Sequence, residues 1–431
     1  MATLFPIPEN HPQRFRLHNE VHARPAIILQ LPIVASHFAL TLTPEQKILS
    51  RQHIALLCDR YGVMPPKEEA DHFSCTFDGF QFHWEQHGEF STYAFYVQEV
   101  PTDDPFSKPA LKHVPVDWLA NLPGSTMVAV HTAIIAWADD LHNISHYSSF
   151  FAGNDLIGAE VAGGAAIAYT DFRIHLDGFS RFLILDKGLK PQQAGRLLQR
   201  LFEIEVYRVM ALMAFPLARN MTPKLNKSDL QLSNITHRMA QSSANDQDLL
   251  DELTNLAAEV ENCISTTYSR FDAASAYHQL VEQRIKDLRE IRIQGLQTIG
   301  EFMQKRMEPA INTCLTTASR FTMLSERISN AGHLLRTRVD MTIERQNQAL
   351  LTSMDKRAKI QLRLQETVES LSIVAISYYA IGLIYYFAKA LYVTGLTIKP
   401  EIITGVAVPF VIVFVTILTR RLHKFIQNVE H

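Results

Sequence analysis

The sequence predicts an α+β membrane protein: an N-terminal cytoplasmic α/β domain, a long helical stalk and two C-terminal transmembrane helices. Three observations carry this reading. Residues 371–388 and 402–419 are apolar stretches without a charged side chain, each near the roughly 17–25 residues that cross a ~30 Å hydrocarbon core. No Gly or Pro lies between Gly332 and Gly382, so one helix can run through 333–381, about 73 Å at 1.5 Å per residue. From about Ala26 to Arg181 the chain is built of short alternating or apolar runs bounded by Pro, Gly and Asp, which is the pattern of strands and turns.

Along that first region strands are expected at 35–42, 73–77, 81–85, 92–98, 127–133, 156–162, 165–169, 173–176 and 181–185. Helical spacing interrupts them at 43–61 and 115–121, and Gly163-Gly164 between apolar runs predicts a hairpin turn. After Gly188 the regime changes. Leu197, Leu201, Ile204 and Met210 recur at helical spacing over 192–215, with Pro191 at the start and Pro216 near the stop. A weaker helix is expected at 222–246 and a longer one over 249–307. From Ala310 the helical signal is sustained, and Leu324, Ile328, Leu335, Val339, Ile343, Leu350 and Met354 recur nearer to an eleven-residue than a seven-residue period. Such a period favours a nearly straight bundle. The stalk then enters the first apolar stretch without a break. These boundaries divide the chain into 1–188, 189–370, 371–419 and a basic tail, 420–431.

Charge orients the hairpin. Lys356, Arg357, Lys359 and Arg363 precede the first apolar stretch and Arg420, Arg421 and Lys424 follow the second, whereas the connection holds Lys389 and Lys399 against Glu401. The positive-inside rule puts both ends in the cytoplasm, so the expected location is a membrane crossed more than once, with both termini cytoplasmic. The opening residues are Pro-rich and polar, unlike an apolar signal peptide. The net charge of −3 gives no broad basic field for nucleic acid. Cys58, Cys75, Cys263 and Cys314 are scattered with no CxxC spacing and suit a reducing compartment.

Motifs at 17–25 (LHNEVHARP), 84–93 (WEQHGEFSTY), 170–173 (TDFR), 195–208 and 372–379 (SIVAISYY) resemble a bacterial family of membrane-anchored proteins to which no activity is assigned. This family resemblance implies a bacterial inner membrane as the location. The order of parts is also similar to the CorA-type divalent-cation transporters. That resemblance implies a homopentamer whose first transmembrane helix lines a pore for a divalent cation such as Mg²⁺ or Zn²⁺. Those transporters end this helix in Gly-x-Asn, and here the corresponding 382–389 is GLIYYFAK. The expected function is therefore a CorA-like cation channel with a cytoplasmic regulatory domain; the alternative is a membrane-anchored scaffold or sensor that does not conduct.

Candidate site residues follow from spacing. Ser370, Ser377, Ile381, Ile384 and Ala388 share one face of the first transmembrane helix and could line a pore; the same small residues also permit close helix packing. Lys389, Lys399 and Glu401 would stand at its outer entrance. In the soluble domain His18, Glu20 and His22 alternate, as do His83, Glu85, His87 and Glu89. If extended, each set lines one face, and His18, Glu20, His22, Glu85, His87 and Glu89 could together hold a metal. Polar strand faces and cross-strand ion pairs compete with that reading. Arg196, Arg200, Glu203, Glu205 and Arg208 are spaced for helix ion pairs, and Asp139, Asp140 and His142 read as an Asp-rich turn. No Ser/His/Asp or Cys/His grouping emerges, so no enzyme is expected.

Overall fold

The computed structural model describes residues 8–20, 27–67, 70–101, 103–137, 144–241, 245–393 and 399–427. The protein is α+β, with an N-terminal sheet, long helices and two apolar C-terminal helices. Its strands are β1 (Ile33–Thr41), β2 (His72–Phe77), β3 (Phe80–Gln86), β4 (Phe90–Val97), β5 (Ser125–Ala136), β6 (Ile157–Val161), β7 (Ala166–Thr170), β8 (Ser180–Asp186) and β9 (Ile291–Arg292). The short helices α1 (Arg14–Glu20), α3 (Val116–Ala120) and α4 (Ile144–Ser149) accompany α2 (Pro44–Tyr61). Then come α5 (Pro191–Leu212), α6 (Ala214–Ala240), α7 (Asp246–Leu288), α8 (Ile299–Arg306), α9 (Glu308–Val393) and α10 (Pro400–Gln427).

The nine strands form one sheet in the order β2-β3-β4-β1-β5-β8-β7-β6-β9. Named pairs are antiparallel except β5 with β8. Asp78-Gly79 joins β2 to β3, with Gly79 at φ 90, the positive φ that a two-residue hairpin demands. Strand alternation splits the apolar residues between two cores. One face packs Phe82, Trp84, Tyr93 and Phe95 against Ile54 and Leu57 of α2 and Trp118 of α3. The other packs Ala35, Val130, Phe182 and Ile184 against Leu197, Leu201 and Ile204 of α5, with α7 and α8 beyond.

The chain divides into two compact units, Met1–Gly332 and His333–His431. Residue 188 lies within the first unit, where α5 covers one face of the sheet. Two expectations about single elements change. Residues 173–176 form no strand: Phe172 has φ 54, Asp171 accepts the Arg173 N–H, and His175 bonds both Gly178 and Phe179 in a turn. The helix expected over 249–307 is interrupted after Leu288, where Arg289 adopts φ 52 and β9 pairs with β6. Glu290 then accepts the Ile299 and Gly300 N–H groups, and a Thr298/Glu301 capping box starts α8.

In the first unit α6, α7 and the first turns of α9 pack around Ala218, Phe271, Ala274 and Cys314. Asp229 of α6 holds Arg320 and Arg327 of α9. In the second unit every residue from 340 to 368 of α9 is exposed, among them Ile343, Leu350, Met354, Ile360 and Leu364. The C-terminal part of α9 and α10 are each long and apolar enough to cross a membrane, with mean hydropathy 1.7 and 2.6.

Candidate functional site: a histidine and glutamate cavity on the sheet

Three neighbouring strands build one polar patch. Register places His37 of β1 opposite Ala94 of β4, and Ala94 opposite His83 of β3. The single methyl group between two imidazoles leaves space above the central strand. Because side chains alternate along a strand, Glu85 and then His87, at the start of the β3–β4 hairpin, point to the same side as His83. Thr92 lies opposite Glu85. Helix α5 roofs the patch with Gln199, Phe202, Glu203 and Tyr207, enclosing a cavity of about 50 Å³. Gly195 of α5 permits this closure, since a Cβ there would sit 1.7 Å from the Ile27 carbonyl oxygen, and Ile27 also lines the cavity.

The polar groups converge on Glu85. His83 Nε2 lies 3.0 Å from one carboxylate oxygen and His87 Nε2 lies 3.4 Å from the other. Ser74 Oγ of β2 is 2.5 Å from His83 Nδ1 and sets that ring's orientation. His87 stacks on Phe90 at 4.5 Å. Burial alone would raise the Glu85 carboxyl, but hydrogen bonds from His83 and His87, with their charge, outweigh it and hold Glu85 below the ordinary carboxylate range.

His37 is the unusual member. It is 5% exposed, stacks on Phe202 at 4.4 Å, and neither ring nitrogen has a hydrogen-bond partner. A buried unpartnered polar group costs on the order of 1–3 kcal/mol. Desolvation, against the opposing field of Glu85 and with the help of His83 and His87, lowers its pKa to about 3, so the ring is neutral with a free lone pair. Glu203 pairs with Arg284 of α7 and accepts from Gln199. Its carboxyl is raised by burial despite the guanidinium. Arg208 pairs with Glu205 on α5.

Of the residues expected to form a metal site, Glu85 and His87 come together here, joined by His83. Glu89 does not: the hairpin turns it toward α7, where it binds Arg270 and Tyr277. His18 and Glu20 belong to helix α1 instead of an extended segment, and His22 lies outside the described residues, as do Asp139, Asp140 and His142. Among the described residues, no three His, Cys, Asp or Glu side chains are gathered as ligands around one point. His37 escapes sequence reading because no spacing links it to His83; strand pairing through Ala94 does. A second polar cluster, Asp171 with Asn154 and His175, holds the 172–179 turn, with the Asp171 side chain completely buried.

The stripe expected to line a pore is partly covered in the single chain. Ser377 and Ala388 are buried, Ile381 and Ile384 half-buried, and Val415 is buried on α10. Among the described residues of the second unit these covered positions lie on α9 and α10. Ser370 lies exposed and returns its hydroxyl to the Thr367 carbonyl. Lys389, Lys399 and Glu401 are exposed.

Fold and site together define an α+β protein with a His/Glu cavity on one sheet face and two apolar C-terminal helices. The chain belongs to the family described as protein of unknown function (DUF3422), whose profile matches residues 9–426. No curated protein and no solved structure matches it.

Proposed function

We propose that this protein is a membrane-anchored sensor of the bacterial inner membrane, self-associating through α9 and reading a small ligand in its cytoplasmic sheet domain. The observation that carries the choice of sensor over channel is the coverage of the Ser377–Ala388 stripe. A central pore needs that polar and small-residue face open to an axis, whereas Ser377 and Ala388 are already buried in the single chain. Small residues at a covered helix face allow close backbone approach. The exposed apolar positions from Ile343 to Leu364 call for cover by other copies of the chain. Positive charge at both ends of the apolar pair favours cytoplasmic termini.

A CorA-like homopentameric cation channel is the second reading. It is favoured by the unbroken course of α9 from the soluble unit into its apolar segment. Purified protein in liposomes distinguishes the two, with dyes for Mg²⁺, Zn²⁺, Ni²⁺ and protons inside. The sensor reading expects an assembled oligomer without flux. Flux that is altered by Ser377→Leu would overturn it in favour of the channel.

A further inference from the structure

We propose that the cavity beneath α5 is a binding site for a divalent transition metal of the zinc class, ligated by His83, Glu85 and His87, with His37 completing the set. The inference deepens the sensor reading, for which it supplies the ligand.

Four observations converge on it. Three imidazoles and one carboxylate are the donor set that suits zinc and its neighbours, whereas Mg²⁺ and Ca²⁺ take oxygen ligands. The separations of 3.0 and 3.4 Å from Glu85 oxygens to the two Nε2 atoms match the ligand-to-ligand edges of about 3.0–3.4 Å around an ion with ~2.1 Å bonds. Ser74 on His83 Nδ1 supplies the outer hydrogen bond that orients a metal-binding imidazole. His37 is buried and unpartnered and lines the same cavity.

Size points the same way. A cavity of about 50 Å³ admits an ion with one or two waters and excludes a nucleotide or sugar. The two imidazoles address different oxygens of Glu85, so the donors do not share one centre. The carboxylate's terminal torsion is soft, and its rotation brings one oxygen between the rings. A purely structural imidazole-carboxylate cluster would account for His83 and His87, but it leaves His37 with two idle nitrogens.

The test uses the full chain in detergent, stripped with a chelator and then titrated with Zn²⁺ by calorimetry and with Co²⁺ by visible absorption. One Zn²⁺ per chain is expected, together with a Co²⁺ d–d band of a low-coordinate nitrogen/oxygen site, and no competition from millimolar Mg²⁺. His83→Ala and the isosteric Glu85→Gln should each weaken binding by about 100-fold or more, and Ser74→Ala by about 10–100-fold. His37→Phe, which keeps the stack on Phe202, should weaken Zn²⁺ binding and shift the Co²⁺ band. Native-like circular dichroism qualifies each variant. Absence of stoichiometric binding to the folded wild type, equal binding by Glu85→Gln, or preference for Mg²⁺ would overturn the proposal. Zinc binding with no effect on self-association would retain the site and refute the sensor. No binding by an intact oligomer would refute the site alone.

Discussion

The two units of this chain hide their apolar residues in opposite ways. In Met1–Gly332 the large side chains are inside: Trp84, Tyr93, Phe95, Phe151 and Phe182 have no accessible surface. In His333–His431 comparable residues are outside, Leu371, Tyr378, Leu383, Phe387, Phe410 and Phe414 among them. Only 11% and 6% of the apolar windows of α9 and α10 are buried. A sheet packed on both faces supplies its own solvent exclusion. Two helices can cover one stripe on each other and leave the remaining surface to lipid or to further copies. The first unit is thus stable by burial within the chain, and the second depends on what surrounds it.

The largest expected effect breaks the chain at that boundary. A fragment of residues 1–332 should stay soluble without detergent and melt cooperatively, while the full chain should partition into membranes and resist carbonate extraction. A fragment that aggregates, or a full chain that stays soluble, would remove the contrast between the units.

A smaller effect tests the interior of the first unit. His131 is buried, hydrogen-bonded to Ser36 at 2.8 Å and stacked on Phe179 at 3.8 Å. Desolvation lowers its pKa from 6.5 to about 4, against the pull of Asp177 and with the push of Arg181. Between those values the unfolded chain binds the extra proton, so stability falls as pH drops from 6.5 toward 4, by up to about 3 kcal/mol. Denaturant unfolding of the 1–332 fragment against pH should show this slope, and His131→Gln should reduce it to the share carried by His37, whose pKa is lowered to about 3. An unchanged slope would mean that other groups carry the acid sensitivity.

The smallest effect sharpens the second unit. Ser377→Leu crowds the covered stripe and should destabilise the helix pair by about 1–3 kcal/mol, whereas Tyr379→Leu on the exposed face should change it by less than about 0.5 kcal/mol. Thermal unfolding in detergent reads both. Equal effects would show that α9 and α10 do not pack through Ser377.

Much of this architecture was legible from local pattern. Eight of the nine expected strand runs correspond to β1–β8, because alternation with β-branched and aromatic residues reports a half-buried strand directly. The breaker-free run to Gly382 became a helix. The absence of the strand expected at 173–176 and the interruption after Leu288 each coincide with a single residue in a left-handed conformation, Phe172 and Arg289, next to contacts with distant segments, Asn154 on Asp171 and β6 on β9. At the site, the alternation of His83, Glu85 and His87 was visible, but the diversion of Glu89 was not, since its partners Arg270 and Tyr277 lie far along the chain.

The sequence by itself determined where polar and apolar side chains repeat, and therefore the strands, the long helix and the two apolar spans, since each depends on neighbours within a few residues. The tertiary structure decided which of those side chains meet. Strand pairing through Ala94 brought His37 to His83, α5 roofed the cavity, and Ser377 and Ala388 became buried while Ser370, expected on the same face, stayed exposed. Those outcomes rest on contacts between distant segments, whose pairing no local periodicity encodes.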